Sequence, residues 1–194
     1  MLCLKRITAL AAVACLLISI VSCGGKHKAL APFSASIEDS QPREASVHSE
    51  IDSQLGLIGA DYTASYSNGK ITVDYTKNSV SAIGPETDED DLFPTESGTV
   101  TINRDGTVTG KLGALVKSLL TLNIVLDGDA ITYEVNGSSL SFTVTADNTE
   151  RVFGVNIGYP VSATIVLFED EIASVTLTYT AESGDVTVEC EYSF

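Results

Sequence analysis

The sequence predicts an all-β protein, an antiparallel up-and-down meander of about ten strands, with a barrel favoured over a sandwich. Two observations carry this prediction. From Ala60 onward, apolar residues alternate with polar ones in short runs, which is the period of a half-buried strand. Turn pairs typical of hairpins separate several of these runs, as at Asn68-Gly69 and Asn136-Gly137. We also expect a short N-terminal helix and one short helix near residues 112–120.

The first 22 residues have the pattern of a secretory signal peptide. Lys5 and Arg6 precede an apolar run from Ile7 to Val21. That run is shorter than the roughly 20 residues that a membrane-spanning helix needs, so a cleaved signal is favoured over an anchor helix.

The end of this run, Ile20-Val21-Ser22-Cys23, resembles the lipid-attachment motif of bacterial lipoproteins. The resemblance implies cleavage before Cys23, acylation of Cys23 with chains such as palmitate, and membrane anchoring at the cell envelope. Residue 24 is Gly rather than Asp, and in this respect the sequence resembles enterobacterial lipoproteins that are sorted to the outer membrane. The outer membrane is therefore the favoured location. Cys15 is a weaker alternative because the apolar run continues through it. An ordinary cleaved signal with a chance cysteine also stays open.

Without residues 1–22 the chain is long enough for one domain with a sizeable core. It keeps 9 basic and 26 acidic side chains, a formal net charge of −17. Such a chain is expected to avoid nucleic acid and anionic lipid surfaces. Cys190 is the one cysteine after Cys23, which excludes an internal disulfide and makes a zinc site of His and Cys implausible.

The elements are predicted in order as follows. Residues 23–45 show no sustained periodicity and are predicted to be a lipid-anchored flexible tether, followed by a single β-rich domain over residues 46–194. At the start of that domain, Ser46 to Gly56 is predicted to be a helix, with Ser46 as its cap. The helix is inferred from apolar residues at spacings of four, four and three: Val47, Ile51, Leu55 and Ile58.

The alternating runs then predict the strands. Residues 62–66 and 71–75 flank Asn68-Gly69, a shorter strand covers 79–83, and the acidic, proline-containing segment 84–97 is predicted to be a surface loop. Helical spacing of leucines predicts one to two turns within residues 112–120. The remaining strands are predicted at residues 100–102, 108, 122–126, 131–135, 140–144, 153–157, 161–168, 175–179 and 184–194.

The stretch from Gly98 to Val144 resembles bacterial lipocalin-like lipoproteins, of calycin type. The resemblance rests on two strand–turn–strand units: Gly98-Thr-Val-Thr-Ile-Asn-Arg-Asp-Gly-Thr-Val108 and Ile131-Thr-Tyr-Glu-Val-Asn-Gly-Ser-Ser-Leu-Ser-Phe142. It implies an up-and-down barrel behind a lipid-modified cysteine, with room for a small apolar ligand.

The residues indicate no catalytic constellation. His27 falls in the predicted tether and His48 on the predicted first helix, and neither a nucleophile elbow nor a phosphate loop is present. The acidic group at 88–91 lacks the glycine and terminal glutamate of a calcium loop. We therefore expect a protein that is not an enzyme and has no cofactor or metal, although a glycosidase-like pair of carboxylates stays open.

Candidate ligand-binding residues are tyrosines that share faces with aliphatic residues: Tyr62, Tyr66, Tyr75, Tyr133, Tyr179 and Tyr192. Simple packing explains them, with each hydroxyl at the rim; a cavity with hydroxyls that orient a lipid-like ligand is the functional alternative. Our leading hypothesis is a lipid-anchored, lipocalin-like protein that binds or shields a small apolar molecule. The alternative is a structural or interaction β-sandwich that contacts an envelope or host protein through its loops.

Overall fold

The computed structural model describes residues 26–53, 56–81 and 93–194, with the backbone alone for residues 26, 27, 79–81 and 93–95. The predicted signal peptide, Cys23 and residues 84–91 of the predicted acidic loop lie outside the described residues. The helices are α1 Lys26–Asp39, α2 Ala114–Leu120 and α3 Thr149–Phe153, with a 3₁₀ turn at Ala146–Asn148. The strands are β1 Glu44–Ser53, β2 Gly56–Ser67, β3 Lys70–Ser81, β4 Phe93–Ile102, β5 Val108–Thr109, β6 Ile131–Asn136, β7 Ser139–Val144, β8 Val161–Phe168, β9 Glu171–Ala181 and β10 Gly184–Ser193.

The ten strands form one antiparallel sheet in the order β5-β4-β3-β2-β1-β10-β9-β8-β7-β6. This confirms the predicted meander. The first strand, β1, pairs with the last strand, β10. The sheet is not closed, since β5 and β6 form its two edges. The preference for a barrel over a sandwich therefore stays a prediction.

One face of the sheet carries the hydrophobic core, because alternate side chains of every long strand point to the same side. A row of cross-strand neighbours through the middle of the sheet is almost fully buried: Val47, Cys190, Val175, Ile165 and Leu140. Cys190 belongs to this row, and its side chain is 0% exposed.

The connection from β5 to β6 packs on the core face through α2. The α2 residues Leu119 and Leu120 are buried in the core. The Tyr192 hydroxyl donates to the Leu119 carbonyl at 2.8 Å, and the Tyr66 hydroxyl donates to the Leu120 carbonyl at 2.7 Å. The predicted helix near residues 112–120 is confirmed, and these two tyrosines join its last turn to the sheet.

Helix α1 packs across one end of the sheet, which we call the α1 end. The hairpin turns at residues 68–69, 137–138 and 169–170 all lie at this end, because antiparallel neighbours place alternate connections together. The Ser36 hydroxyl donates to the Asp170 carbonyl at 2.6 Å, and the Ile172 N–H donates to the Ser40 hydroxyl at 3.5 Å. The connection at residues 182–183 and the segment 145–160 lie at the opposite end.

Residues 26–39 thus differ from the flexible tether predicted for residues 23–45. The α1 residues Leu30, Phe33 and Ile37 are buried in the core and recur at spacings of three and four, which is one face of a helix. Pro32 lies inside this helix, where its missing N–H and its ring disfavour helical structure. The local sequence therefore did not predict a helix here.

The helix predicted for residues 46–56 is wrong, because residues 46–53 belong to β1 and Gly56 begins β2. A spacing of four fits both a helix and a strand, since four is also a multiple of two. Ala45 and Val47 of β1 face the core, and β1 is paired along its length with β2 on one side and β10 on the other. Tertiary pairing therefore decided between two readings that the apolar spacing allowed.

Two predicted strands are also wrong. Residues 122–126 are irregular. Phe153 is the last residue of α3, and residues 154–157 follow it, with the helix capped by Gly154 in a left-handed conformation with φ of 64°. Two other boundaries differ: β3 runs unbroken to Ser81, and β4 begins at Phe93, inside the segment predicted to be a loop. The hairpin turn of β6 and β7 is centred on residues 137–138, one position later than predicted.

Candidate ligand-binding groove

The largest concave feature described is a solvent-open groove of about 590 Å³ at the α1 end. Four segments form it: the last turn of α1 with the following residues 40–42, the β2–β3 hairpin, the β4–β5 turn, and residues 120–122 after α2. Each wall is a chain reversal, so the groove exists because the meander returns repeatedly to the same end of the sheet.

The floor of the groove is apolar. Ile37, Ile102 and Leu120 belong to the buried core and also line the groove. Ile71 and Leu122 are partly buried beside them. A ligand placed here would therefore contact aliphatic side chains that the fold already holds in position.

Leu122 has a strained backbone. Its φ is 49°, a left-handed conformation that costs a residue with a Cβ roughly 1–2 kcal/mol. Two hydrogen bonds hold this turn: the Leu122 N–H donates to the Leu119 carbonyl, and the Asn123 N–H donates to the Ser118 carbonyl, both at 2.9 Å. Strain of this kind clusters at ligand sites, so Leu122 supports the choice of this groove as the candidate site.

The rim carries two cations. Lys70 begins β3 and Arg104 lies in the β4–β5 turn, and both side chains are exposed. The Arg104 stem lies over Gly69, since a Cβ built on Gly69 would be 3.2 Å from Arg104 Cδ. Within residues 26–53, 56–81 and 93–194, neither cation takes part in an ion pair. One acid, Glu38, also lines the groove.

The six candidate tyrosines all lie on the core face, but the structure does not gather them around one cavity. Only Tyr66 lines the groove. Tyr62 and Tyr192 are buried in the core, and Tyr133 is partly buried at its edge. Tyr75 donates its hydroxyl to the exposed Glu96 carboxylate at 2.9 Å. Tyr179 stacks on Tyr159, with ring centroids 6.3 Å apart.

Burial keeps the core hydroxyls and the core thiol neutral. Desolvation raises the pKa of Tyr66 and, more strongly, that of Tyr192. It also raises the pKa of the Cys190 thiol to about 12. These groups therefore act as hydrogen-bond donors or packing groups and not as nucleophiles near neutral pH.

A second polar cluster lies on the outer face of the sheet. His48 Nδ1 is 2.7 Å from Asp61 Oδ1, and His48 Nε2 is 3.6 Å from Glu50 Oε2. The pKa of His48 is raised, mainly because its ring hydrogen-bonds to the Asp61 carboxylate. Desolvation lowers this pKa by a smaller amount. The site is exposed, so the cluster resembles a solvated charge network more than a catalytic group.

The described part of the chain contains no grouping of three or more His, Cys, Asp or Glu side chains that could hold a metal ion. Across those same residues, no helix combines the length and apolar character needed to cross a bilayer.

Comparison with known proteins adds a distant likeness to a solved structure. No family model and no curated protein matches the chain. A crystal structure of an N-terminal dehydratase from the difficidin assembly line aligns with 84% of this chain and 80% of its own, at 8% identity and a TM-score of 0.22. A TM-score of that size carries no argument about fold or activity.

Sequence reasoning located both turns of the groove but not the groove itself. Asn68-Gly69 and Asn103-Arg104-Asp105-Gly106 were recognised as hairpin turns. The available signal was the presence of Lys70 and Arg104 beside those turns in a chain poor in basic residues. Their proximity follows from the pairing of β3 with β4, in which Ile71 lies opposite Ile102.

Proposed function

We propose that this chain is a lipid-anchored cell-envelope protein, without enzymatic activity, that binds a small and largely apolar molecule in the groove at the α1 end. The observation that carries the proposal is the groove itself: about 590 Å³ in volume, with an aliphatic floor and a polar rim. Ligand pockets commonly have volumes of about 300–1,000 Å³ and this distribution of polarity. The Ile20-Val21-Ser22-Cys23 motif supports the anchor and an outer-membrane location.

The rim favours a ligand with an anionic end. The chain's net charge repels anions in general, whereas Lys70 and Arg104 place two cations beside an apolar surface. A charge-assisted hydrogen bond to a carboxylate is roughly twice as strong as a neutral one, so these two side chains suit the head group of an amphiphile. Glu38 limits the attraction and makes a single negative charge more suitable than several.

Titration with dansyl-labelled undecanoic acid tests this proposal. We expect saturable fluorescence enhancement with a dissociation constant on the order of 10 µM, weakened roughly tenfold in the double variant Lys70→Glu, Arg104→Glu. Lys111→Glu is the matched control, because it reverses an exposed cation that does not line the groove, and it should change binding less than about twofold.

Two results would count against the proposal. Absence of saturable binding by the wild-type chain would remove a fatty-acid-like ligand. Equal loss in the groove and control variants would attribute binding to net charge rather than to this site. The lipid anchor is tested separately: mass spectrometry of the mature amino terminus shows whether the chain begins at an acylated Cys23.

A further inference from the structure

The position of the anchor relative to the fold is limited by covalent geometry. Cys23 lies three residues before Lys26, the first residue of α1. Consecutive residues span at most about 3.6 Å, so the Cys23 and Lys26 Cα atoms are within about 11 Å of each other in any conformation. Lipid on Cys23 would therefore hold the start of α1 close to the membrane surface.

Helix α1 belongs to one end of the molecule. Its buried residues Leu30, Phe33 and Ile37 join the core, and its hydrogen bonds to Asp170 and Ile172 fix it against the β8–β9 turn. A ten-residue strand is about 33 Å long, so the opposite end of the sheet lies well beyond the reach of the anchor. Because the connection is short, a lipid on Cys23 would orient the whole domain with the α1 end toward the membrane.

Exposed apolar side chains lie at the α1 end. Phe168, the last residue of β8, is 68% exposed, and Val135 of β6 is 37% exposed. Val135 lines a shallow depression of about 330 Å³ together with Ala29 and Phe33 of α1. An aromatic side chain that is mostly exposed gains free energy when it enters the headgroup region of a bilayer.

The α1 end carries cations as well as acids. Arg43, Lys70 and Arg104 lie at the α1 end, and Lys117 reaches the same end by donating to the Gly106 carbonyl at 2.8 Å. The acids nearest Phe168 occupy the adjacent turn: Glu169, Asp170 and Glu171. They limit Phe168 to shallow contact, whereas the cations further along this end offset the repulsion that the chain's acidity would otherwise produce at an anionic surface.

We propose that the α1 end is the membrane-facing surface of this protein, with Phe168 and Val135 in contact with the phospholipid headgroup region. This inference rests on the proposed acylation of Cys23. It also deepens the proposed function, because the groove is at the same end. The ligand then exchanges between the groove and the bilayer that carries the anchor.

The absence of tryptophan from the chain permits a test with a single fluorophore. The reporter variant is Phe168→Trp, and its matched control is Ile58→Trp, because Ile58 is also an exposed apolar residue, at 52%, but lies at the opposite end. The full chain is expressed from its own leader, purified from membranes and reconstituted in vesicles of phosphatidylcholine and phosphatidylglycerol that contain brominated acyl chains. The mass of each preparation reports acylation at Cys23.

We expect the Phe168→Trp indole to be quenched at least about threefold more than the control, because a shallowly inserted ring enters about 5–10 Å into the interface. Iodide in the aqueous phase should quench the Ile58→Trp indole more than the Phe168→Trp indole. Equal quenching, or none, in preparations acylated at Cys23 overturns the orientation and leaves groove binding untouched. An unmodified Cys23 overturns both the anchor and the orientation. Val135→Trp gives a second reporter at the α1 end should Phe168→Trp fold poorly.

Discussion

At the scale of single residues, the tyrosines show that one residue type has different roles in this fold. Tyr192 and Tyr66 hold α2 by its last two carbonyls, whereas Tyr75 lies in an exposed network with Glu96 and Lys77. The hydroxyl explains this pattern, because a buried phenol needs an acceptor and the end of a helix provides free carbonyls.

Removal of the Tyr192 hydroxyl tests the joint between α2 and the sheet. We expect Tyr192→Phe to lower the free energy of unfolding by about 1 kcal/mol, because one buried hydrogen bond is lost while the Leu119 carbonyl keeps the Leu122 N–H. Tyr159→Phe is the control, since the Tyr159 hydroxyl has only a 3.4 Å contact with the Glu182 N–H. Urea denaturation measures both, and equal losses would mean that the Tyr192 contact contributes nothing specific.

His48 gives the protein a pH-dependent contribution to stability. Its pKa is raised in the folded state, chiefly by the hydrogen bond to Asp61. The protonated form is therefore favoured by folding, and its stabilisation is complete below the unfolded pKa of about 6.5. That stabilisation is lost as the pH rises through the higher folded pKa. Glu50 and Glu189 also neighbour His48, and both favour its protonated form.

We accordingly expect the unfolding free energy of the wild type, relative to that of His48→Gln, to fall as the pH increases from about 6 to about 8. The effect should be small because the cluster is exposed and screened by salt. Urea denaturation of both proteins at each pH measures it. A difference that stays constant or grows with pH would contradict the raised pKa.

At the scale of elements, α1 is the largest difference between expectation and structure. A flexible tether and a docked helix make opposite predictions for Phe33, which is 2% exposed in the structure. The buried ring contributes to the core only if α1 is part of the domain.

We expect Phe33→Ala to lower the free energy of unfolding by about 3–5 kcal/mol, the usual cost of removing a buried aromatic ring. Ala35→Ser, at an exposed position of the same helix, should change it by less than about 0.5 kcal/mol. Denaturant titration of the mature chain supplies both values. If Phe33→Ala behaved like Ala35→Ser, α1 would not be docked and the proposed orientation at the membrane would lose its basis.

Two hairpin turns differ in how far the local sequence predicts them. The β2–β3 hairpin was predicted because Asn68 and Gly69 readily adopt positive φ, and they have φ of 53° and 72°. The β8–β9 turn places Glu169 and Asp170 at φ of 51° and 67°, although only aspartate is of a residue type enriched in that conformation. That turn follows from the pairing of its two strands, and the only local signal was the charge of the segment.

At the scale of the whole molecule, the α1 end collects the features that bear on function. The groove, the exposed Phe168, several cations and helix α1 all lie there. The cause is topological: in an antiparallel meander alternate connections meet at one end, and both the first strand and α1 begin there.

The sequence alone determined the features that depend on near neighbours. The alternation of β7 to β10, the Asn68-Gly69 hairpin and the helix that ends at Leu120 were all readable, because strand period, turn chemistry and helix spacing act over a few residues. Only the tertiary structure decided the rest. It made residues 44–53 a strand through pairing on both sides, docked α1 across the sheet, and brought Lys70, Arg104 and Leu122 to one groove. These outcomes depend on contacts between residues far apart in the chain, for which local pattern carries no signal.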